Sequence, residues 1–421
     1  MVFYLGAATA AHQIEGNNIH SDFWVQEQLP HSIFKEPSLD AVDHYNRYEE
    51  DIDLMKEAGF NAYRFSIEWA RIEPKKGQFD EKEIAHYQAV IEYCKKSCIT
   101  PFVTLHHFSS PKWLISEGGW ESEKTVDYFR RYTDFVISRI GDSVDYICTI
   151  NEANMGIQLA AIIKRILKQM GVNLQVGVNM PLGEEQRLQM KEAAEAFGLK
   201  ENEQANTFLS QRTQKGDQII IEAHKAARSV IRSKHKGIKV GMTLSLHDLQ
   251  LGDASEEAKK LIEKAWYDEF LHYLPTIKED DFFGVQNYTR EIFTREGVQS
   301  APEGSKLTEM GYENYPQALA NVVRKVSDVF NKDIYITENG IATSDDRERV
   351  SFIDTALASV SDLIQEGVPV KGYFHWSLMD NFEWQKGFAM KFGLIEIDRS
   401  TQTRKPKPSL YHLGNQLKHF Q

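Results

Sequence analysis

The chain has 421 residues, a formal net charge of −12, and 42% hydrophobic against 26% charged residues, an ordinary globular composition long enough to bury a large core. The negative balance excludes nucleic acid as the main partner, because phosphate backbones attract Lys/Arg surfaces. The opening MVFYLGAATAAHQIEG lacks a basic leader and breaks at His12, and no run approaches the roughly 20 apolar residues of a membrane span, so a cytoplasmic protein off the membrane is expected.

Taken in order, the chain alternates short apolar β-prone runs with longer amphipathic ones. The expected strands are Phe3–Ala8, Ala62–Ile67, Thr100–Leu105, Tyr146–Ile150, Lys239–Leu244, Phe282–Tyr288, Asp333–Thr337 and Gly372–Trp376. Helices are expected over Tyr48–Ala58, Glu83–Lys96, Val126–Ile140, Gln218–Arg232, Pro316–Val329 and Arg349–Glu366. Near-continuous apolar strands separated by helices indicate a parallel sheet buried on both faces, either a closed (β/α)8 barrel or a doubly wound sheet. Polar and aromatic residues gather at the C-terminal strand ends, and no Gly-rich nucleotide fingerprint follows the first strand. Both observations favour an α/β protein built as one (β/α)8 TIM barrel over residues 1–421. Length alone would suggest two or three domains, but single barrels exceed that average.

The stretch Met155–Gly216 interrupts the rhythm with no clear strand. It reads as helix (Gln158–Met170), a turn-rich piece (Asn173–Leu182) and helix (Glu184–Phe197), an elaborated βα connection at the barrel mouth. Cys94, Cys98 and Cys148 form no disulfide framework; Cys94 and Cys98 are read as buried small apolar residues on one helix face.

Two carboxyls end apolar strands, Glu152 in Thr-Ile-Asn-Glu and Glu338 in Ile-Tyr-Ile-Thr-Glu-Asn-Gly. Burial raises a carboxyl pKa, and a protonated carboxyl facing an ionised one is the apparatus of glycoside hydrolysis. The alternative is two buried acids paired with cations. Arg64, within a barrel strand, must find a partner, and Glu338 would be kept ionised by it. The segment His375–Trp384 interleaves aromatics with Asp380, Asn381 and Glu383, a composition suited to sugar rings with apolar faces and hydroxyl rims. His106-His107 lack further ligands at metal spacing, so no metal is expected there. The sequon Asn287-Tyr-Thr289 falls in an expected strand and is treated as chance.

These motifs together resemble glycoside hydrolase family 1, from Leu5-Gly-Ala-Ala-Thr-Ala-Ala-His-Gln-Ile-Glu-Gly16 to Lys405-Pro-Lys-Pro-Ser-Leu-Tyr411. The resemblance implies a cofactor-free retaining β-glycosidase with carboxyl groups about 5–5.5 Å apart, acting on small β-glycosides or oligosaccharides. It implies Glu152 as acid/base and Glu338 as nucleophile, with Arg64 and Tyr288 positioning the nucleophile. It further implies Asn151 at the sugar 2-hydroxyl, Gln13, His107, Glu383 and Trp384 at the other glycone hydroxyls, Trp376 as stacking platform, and Trp120 as a neighbouring pocket aromatic. Three positions depart from the family pattern. Ala153 stands where Pro is usual, Gln286 replaces an Asn, and Met155–Gly216 replaces the usual loop. Glu383-Trp384 also differs from the Ser and Lys/Tyr set of 6-phospho-β-glycosidases, since a carboxylate there would repel phosphate. A pseudo-glycosidase would usually have lost one of the two carboxylates. Glucose, galactose and fucose remain open as glycones, as does the oligomeric state.

Overall fold

A computed structural model describes residues 2–169, 183–200 and 203–420. Eight parallel strands close into a barrel: β1 (Tyr4–Ala8), β2 (Ala62–Ser66), β3 (Thr100–His106), β4 (Tyr146–Ile150), β5 (Lys239–Ser245), β6 (Phe282–Gln286), β7 (Asp333–Asn339) and β8 (Val370–Trp376). Each pairs with its sequence neighbours, and β8 pairs with β1 to close the ring, Tyr4 opposite Gly372 and Ala8 opposite Trp376. This is the (β/α)8 TIM barrel, and closure rules out the open doubly wound sheet. β2 and β4 are buried at every position, which is why they read as unbroken apolar runs.

The helices His44–Ala58, Glu81–Lys96, Lys124–Ile140, Gln214–Lys234, Ala318–Ser327 and Asp346–Gln365 stand where amphipathic runs were expected, extended or trimmed by a few residues. Caps explain two of the extensions: Asp80 accepts from the backbone N–H groups of Lys82 and Glu83, and Thr213 from that of Gly216. Tyr4, Phe102, Tyr146, Phe282, Tyr335 and Phe374 form one aromatic cluster of the core, with Phe102 stacked on Tyr146 at 4.2 Å. A larger aliphatic core lies between the strands and the outer helices.

Four expectations need correction or limitation. Strand β6 ends at Gln286, not Tyr288. The Asn287 amide donates to the carbonyls of Leu246 and Thr289, turning the chain out of the ladder. Cys98 is exposed with φ 61°, because its helix stops at Lys96 and the chain reverses there; only Cys94 of that pair is buried. The helix expected from Gln158 begins at Met155 and is described to Gln169, and Glu184–Phe197 is helical as read. Met170 and Asn173–Leu182 lie outside the described residues. The sequence reading also passed over helix Glu256–Trp266, a hairpin (Ile395–Asp398 with Thr403–Pro406), and a small sheet of Asp248–Leu251, Arg290–Thr294 and Gly297–Gln299. Among the described residues no helix is long and apolar enough to cross a membrane.

Candidate active site

Glu338 owes its position to a break in its own strand. The register of β7 slips between Ile336 and Glu338 against β6, and between Ile336 and Asn339 against β8. Such a bulge re-aims the side chains that follow it. Gly340 then passes so close to β8 that a Cβ would lie 1.9 Å from the Trp376 carbonyl oxygen, so only glycine allows the approach. Glu152 leaves β4 in a left-handed conformation, φ 43°, a strain of about 1 kcal/mol for a non-glycine residue. Backbone bonds hold it there: the N–H of Glu152 donates to Thr243 Oγ1 at 3.1 Å and that of Ala153 to the Thr243 carbonyl at 3.1 Å. A proline at 153 would lack the second donor, so the departure at Ala153 comes with a bond of its own.

The two carboxyls line one cavity of about 360 Å³ with His107, Tyr288, Trp376, Glu383 and Trp384. Their surroundings differ. Arg64 Nη1 donates to Glu338 Oε1 at 2.6 Å and the Tyr288 hydroxyl donates to Oε2 at 2.7 Å. Burial lifts the Glu338 pKa, while Arg64 and Tyr288 pull it back. Glu152 is raised well above the ordinary carboxyl range, first by burial and then by the charge of Glu338, and a hydrogen bond with Ser245 and the Arg64 charge offset this only in part. Both carboxyls are raised, Glu152 further than Glu338, so of the pair Glu152 keeps its proton more readily and Glu338 gives it up first.

Asn151 sits just behind the lining. Its Oδ1 accepts from Arg64 Nη2 at 2.5 Å, Gln286 Nε2 at 2.8 Å and the Thr243 hydroxyl at 3.3 Å. Three donors on one oxygen fix the amide orientation, so Nδ2 donates to His107 Nε2 at 3.1 Å. His107 is neutral, its pKa pulled far down by burial and then by Arg64. Gln286, where the resemblance led to an Asn, is thus one of the groups that hold Asn151. Gln13 Nε2 donates to the Phe382 carbonyl at 2.8 Å and reaches Glu383 Oε2 at 3.3 Å. Glu383 is pushed up to about 8 by burial first and the Glu338 charge second. His107 stacks over Trp376 at 5.6 Å, and Trp384 takes φ 46° to lie parallel to His12 at 5.9 Å.

Trp120 does not reach the cavity lining. It is buried behind His106, with its indole N–H on Ser110 Oγ at 3.0 Å. The aromatic lining the cavity next to His107 is Phe108, which sequence reasoning missed although it follows His107 directly. His106 bonds Ser110 and His107 bonds Asn151, so the two imidazoles diverge and form no shared metal site. Asn287 is buried with its amide committed to backbone, which bars glycosylation. Asp380 pairs with Lys407 at 3.0 Å rather than joining the lining. Met155, Leu159, Met310, Tyr312 and Lys386 also line the cavity. They come from connections whose sequences carried no strand-end signal.

The sequence profile of glycosyl hydrolase family 1 matches residues 1–419. The chain belongs to glycoside hydrolase family 1. It is 31% identical over 443 residues to a β-glucosidase of Agrobacterium sp., covering 97% of this chain and 92% of that one. It is 29% identical over 468 residues to β-glucosidase A of Thermotoga maritima, covering 99% and 97%. Among solved structures, β-glycosidase BGL167 superposes with a TM-score of 0.89 at 40% identity, covering 100% and 96%. The Thermotoga maritima β-glucosidase in complex with glucoimidazole gives 0.82 at 28% identity, covering 99% and 98%. This family 1 chain is accordingly a glycoside hydrolase.

Proposed function

We propose that this family 1 enzyme is a retaining β-glycosidase. It releases terminal non-reducing β-D-glucosyl residues, with β-D-galactosyl and β-D-fucosyl as further glycones. One observation carries the reading: two buried carboxyls share a cavity, and only Glu338 has a guanidinium and a phenol donating to it. Glu338 attacks the anomeric carbon as the glycosidic C–O bond breaks, and Glu152 gives its proton to the departing oxygen. The resulting glycosyl ester on Glu338 is cleaved by a water that Glu152 deprotonates, restoring both groups and retaining configuration. No cofactor enters.

Asn151 is suited to the 2-hydroxyl, because its amide is already oriented by Arg64 and Gln286. Gln13 Oε1 and His107 Nδ1 are buried and have no partner among the described residues, so they suit glycone hydroxyls, together with Glu383 and Trp384. Trp376 offers the stacking face. The whole of residues 1–421 acts as one catalytic barrel, with the 155–216 connection shaping the aglycone side. The relatives named β-glucosidase favour glucose over galactose and fucose.

Glu338→Ala tests the assignment. Turnover of nitrophenyl β-glucoside falls on the order of 10^5-fold, and added azide restores activity with an α-glycosyl azide as product. Undiminished hydrolysis by that variant removes Glu338 as nucleophile. Product anomers followed by NMR from the unaltered enzyme must start as β; an α start means inversion.

A further inference from the structure

Outside the catalytic pair, one group of ligand-type side chains converges from three separate elements. His247 follows β5, Glu269 sits in the π-helical turn Tyr267–Leu271, and Glu291 lies in the small-sheet strand Arg290–Thr294. One donor atom from each lies within 4.8 Å of the others. π-turns are rare and concentrate where a side chain must be placed for a purpose.

The geometry points to a divalent transition-metal site formed by His247, Glu269 and Glu291, set on the rim of the barrel and separate from the catalytic carboxyls. The ligand chemistry fits: one imidazole nitrogen and two carboxylates suit Zn²⁺, Mn²⁺ or Ni²⁺ better than the all-oxygen ions. The foundation is preorganised. Glu269 is buried and bound twice by His247, its Oε2 accepting the backbone N–H at 3.1 Å and its Oε1 lying 3.0 Å from Nδ1. Asn154 Nδ2 donates to the Glu269 carbonyl at 3.0 Å, fixing the π-turn against the catalytic loop. Tetrahedral ligands about 2.1 Å from an ion stand ~3.5 Å apart, so closure requires roughly 1 Å of side-chain movement.

An entry path exists. His247 and Glu291 line a surface cavity of about 280 Å³. Arg290 lines it too, and Lys325 lies within reach of the Glu269 charge. Arg290 is paired with Glu313 at 2.8 Å, and Lys325 holds its ammonium 4.1 Å from the Trp266 ring centre. The proposed ion takes no part in the hydrolytic steps given to Glu338 and Glu152, and it goes beyond the expectation of no metal. Because His247 also lines the catalytic cavity, an ion here stands beside the space where the aglycone departs.

The test is isothermal titration of the chelator-stripped full chain with Zn²⁺, Mn²⁺ and Ni²⁺, alongside Glu291→Gln. That residue is outside the catalytic cavity, so metal-free hydrolysis of nitrophenyl β-glucoside is unchanged. One equivalent binds the unaltered chain with a Kd in the micromolar range, and Glu291→Gln weakens it about tenfold or more. An anomalous difference peak between the three side chains in crystals grown with Zn²⁺ gives a second readout that needs no variant. No saturable binding below about 100 µM, equal affinity in Glu291→Gln, or an anomalous peak elsewhere overturns the site.

Discussion

The two sides of the catalytic cavity are built on different principles. On the side of the barrel itself, where strands β1–β4 and β6–β8 end, polar groups are chained together: Arg64 bonds both Glu338 and Asn151, Asn151 bonds Gln286 and His107, and Gln13 bonds the Phe382 carbonyl and Glu383. On the other side, Met155, Leu159, Met310 and Phe392 present apolar surface from connections outside the barrel strands. A buried polar network tolerates little change, because removing one member leaves its partners desolvated and unpaired. An apolar wall tolerates substitution as long as volume is kept. The chain's departures follow that division. Gln286, inside the network, bonds Asn151, whereas Met155 and Leu159, on the helix that follows β4, face the cavity as apolar surface.

The strongest attempt to break this contrast is Arg64→Met. It strips Glu338 and Asn151 of their shared cation in one step and leaves a carboxylate buried without a counter-charge. Hydrolysis of nitrophenyl β-glucoside is expected to fall roughly 10^3-fold, and unfolding free energy by about 3–5 kcal/mol. Steady-state kinetics with denaturant melts check both. A loss under tenfold with unchanged stability means that the network is not what holds Glu338.

Glu152→Gln sharpens the comparison between the two carboxyls themselves. Glu152 is raised by burial and then by Glu338, so it donates its proton below its pKa and cannot above it. kcat/KM therefore falls as pH rises through that pKa, and falls at acid pH as Glu338 becomes protonated. In the variant the alkaline limb disappears. Alkyl glucosides lose about 10²–10³-fold, and dinitrophenyl glucoside, whose leaving group needs no proton, loses far less in the glycosylation step. A retained alkaline limb assigns that titration elsewhere; Glu383, at about 8, is then the group to replace next.

How far these features could be read from sequence follows from their physics. The eight strands were legible because burial on both faces leaves near-unbroken apolar runs, and the C-terminal strand ends carried the polar residues. The small sheet Asp248–Leu251, Arg290–Thr294 and Gly297–Gln299 was not, since its strands are short and mostly half-exposed. Strand β6 stops short of Tyr288 because the Asn287 amide diverts the backbone, and a polar residue at a strand end is the pattern of the other strands too, so nothing in the run marks the stop. Trp120 was overread by resemblance: its sequence position says nothing of the layer of His106 and Ser110 that it packs behind. Phe108, Met310 and Tyr312 were missed because loop residues acquire their neighbours only through closure of the barrel. The bulge at Glu338 and the left-handed Glu152 have no sequence signature, yet they aim both carboxyls.

The smallest expected effect probes the apolar wall. Met155 and Leu159 stand one helical turn apart on helix Met155–Gln169, and both reach the cavity. Leu159→Ala removes part-exposed apolar surface rather than a sealed core contact, so roughly 1 kcal/mol of aglycone affinity is at stake, about fivefold in kcat/KM. The loss falls on octyl or nitrophenyl β-glucoside. Cellobiose, whose leaving sugar presents hydroxyls, is nearly unaffected, and thermal stability holds. If all three substrates lose equally, the helix acts on the glycone network instead, and the two sides of the cavity are not separable. If none does, the aglycone leaves by another route, past Tyr312 and Lys386, and substitution at those two positions should carry the preference.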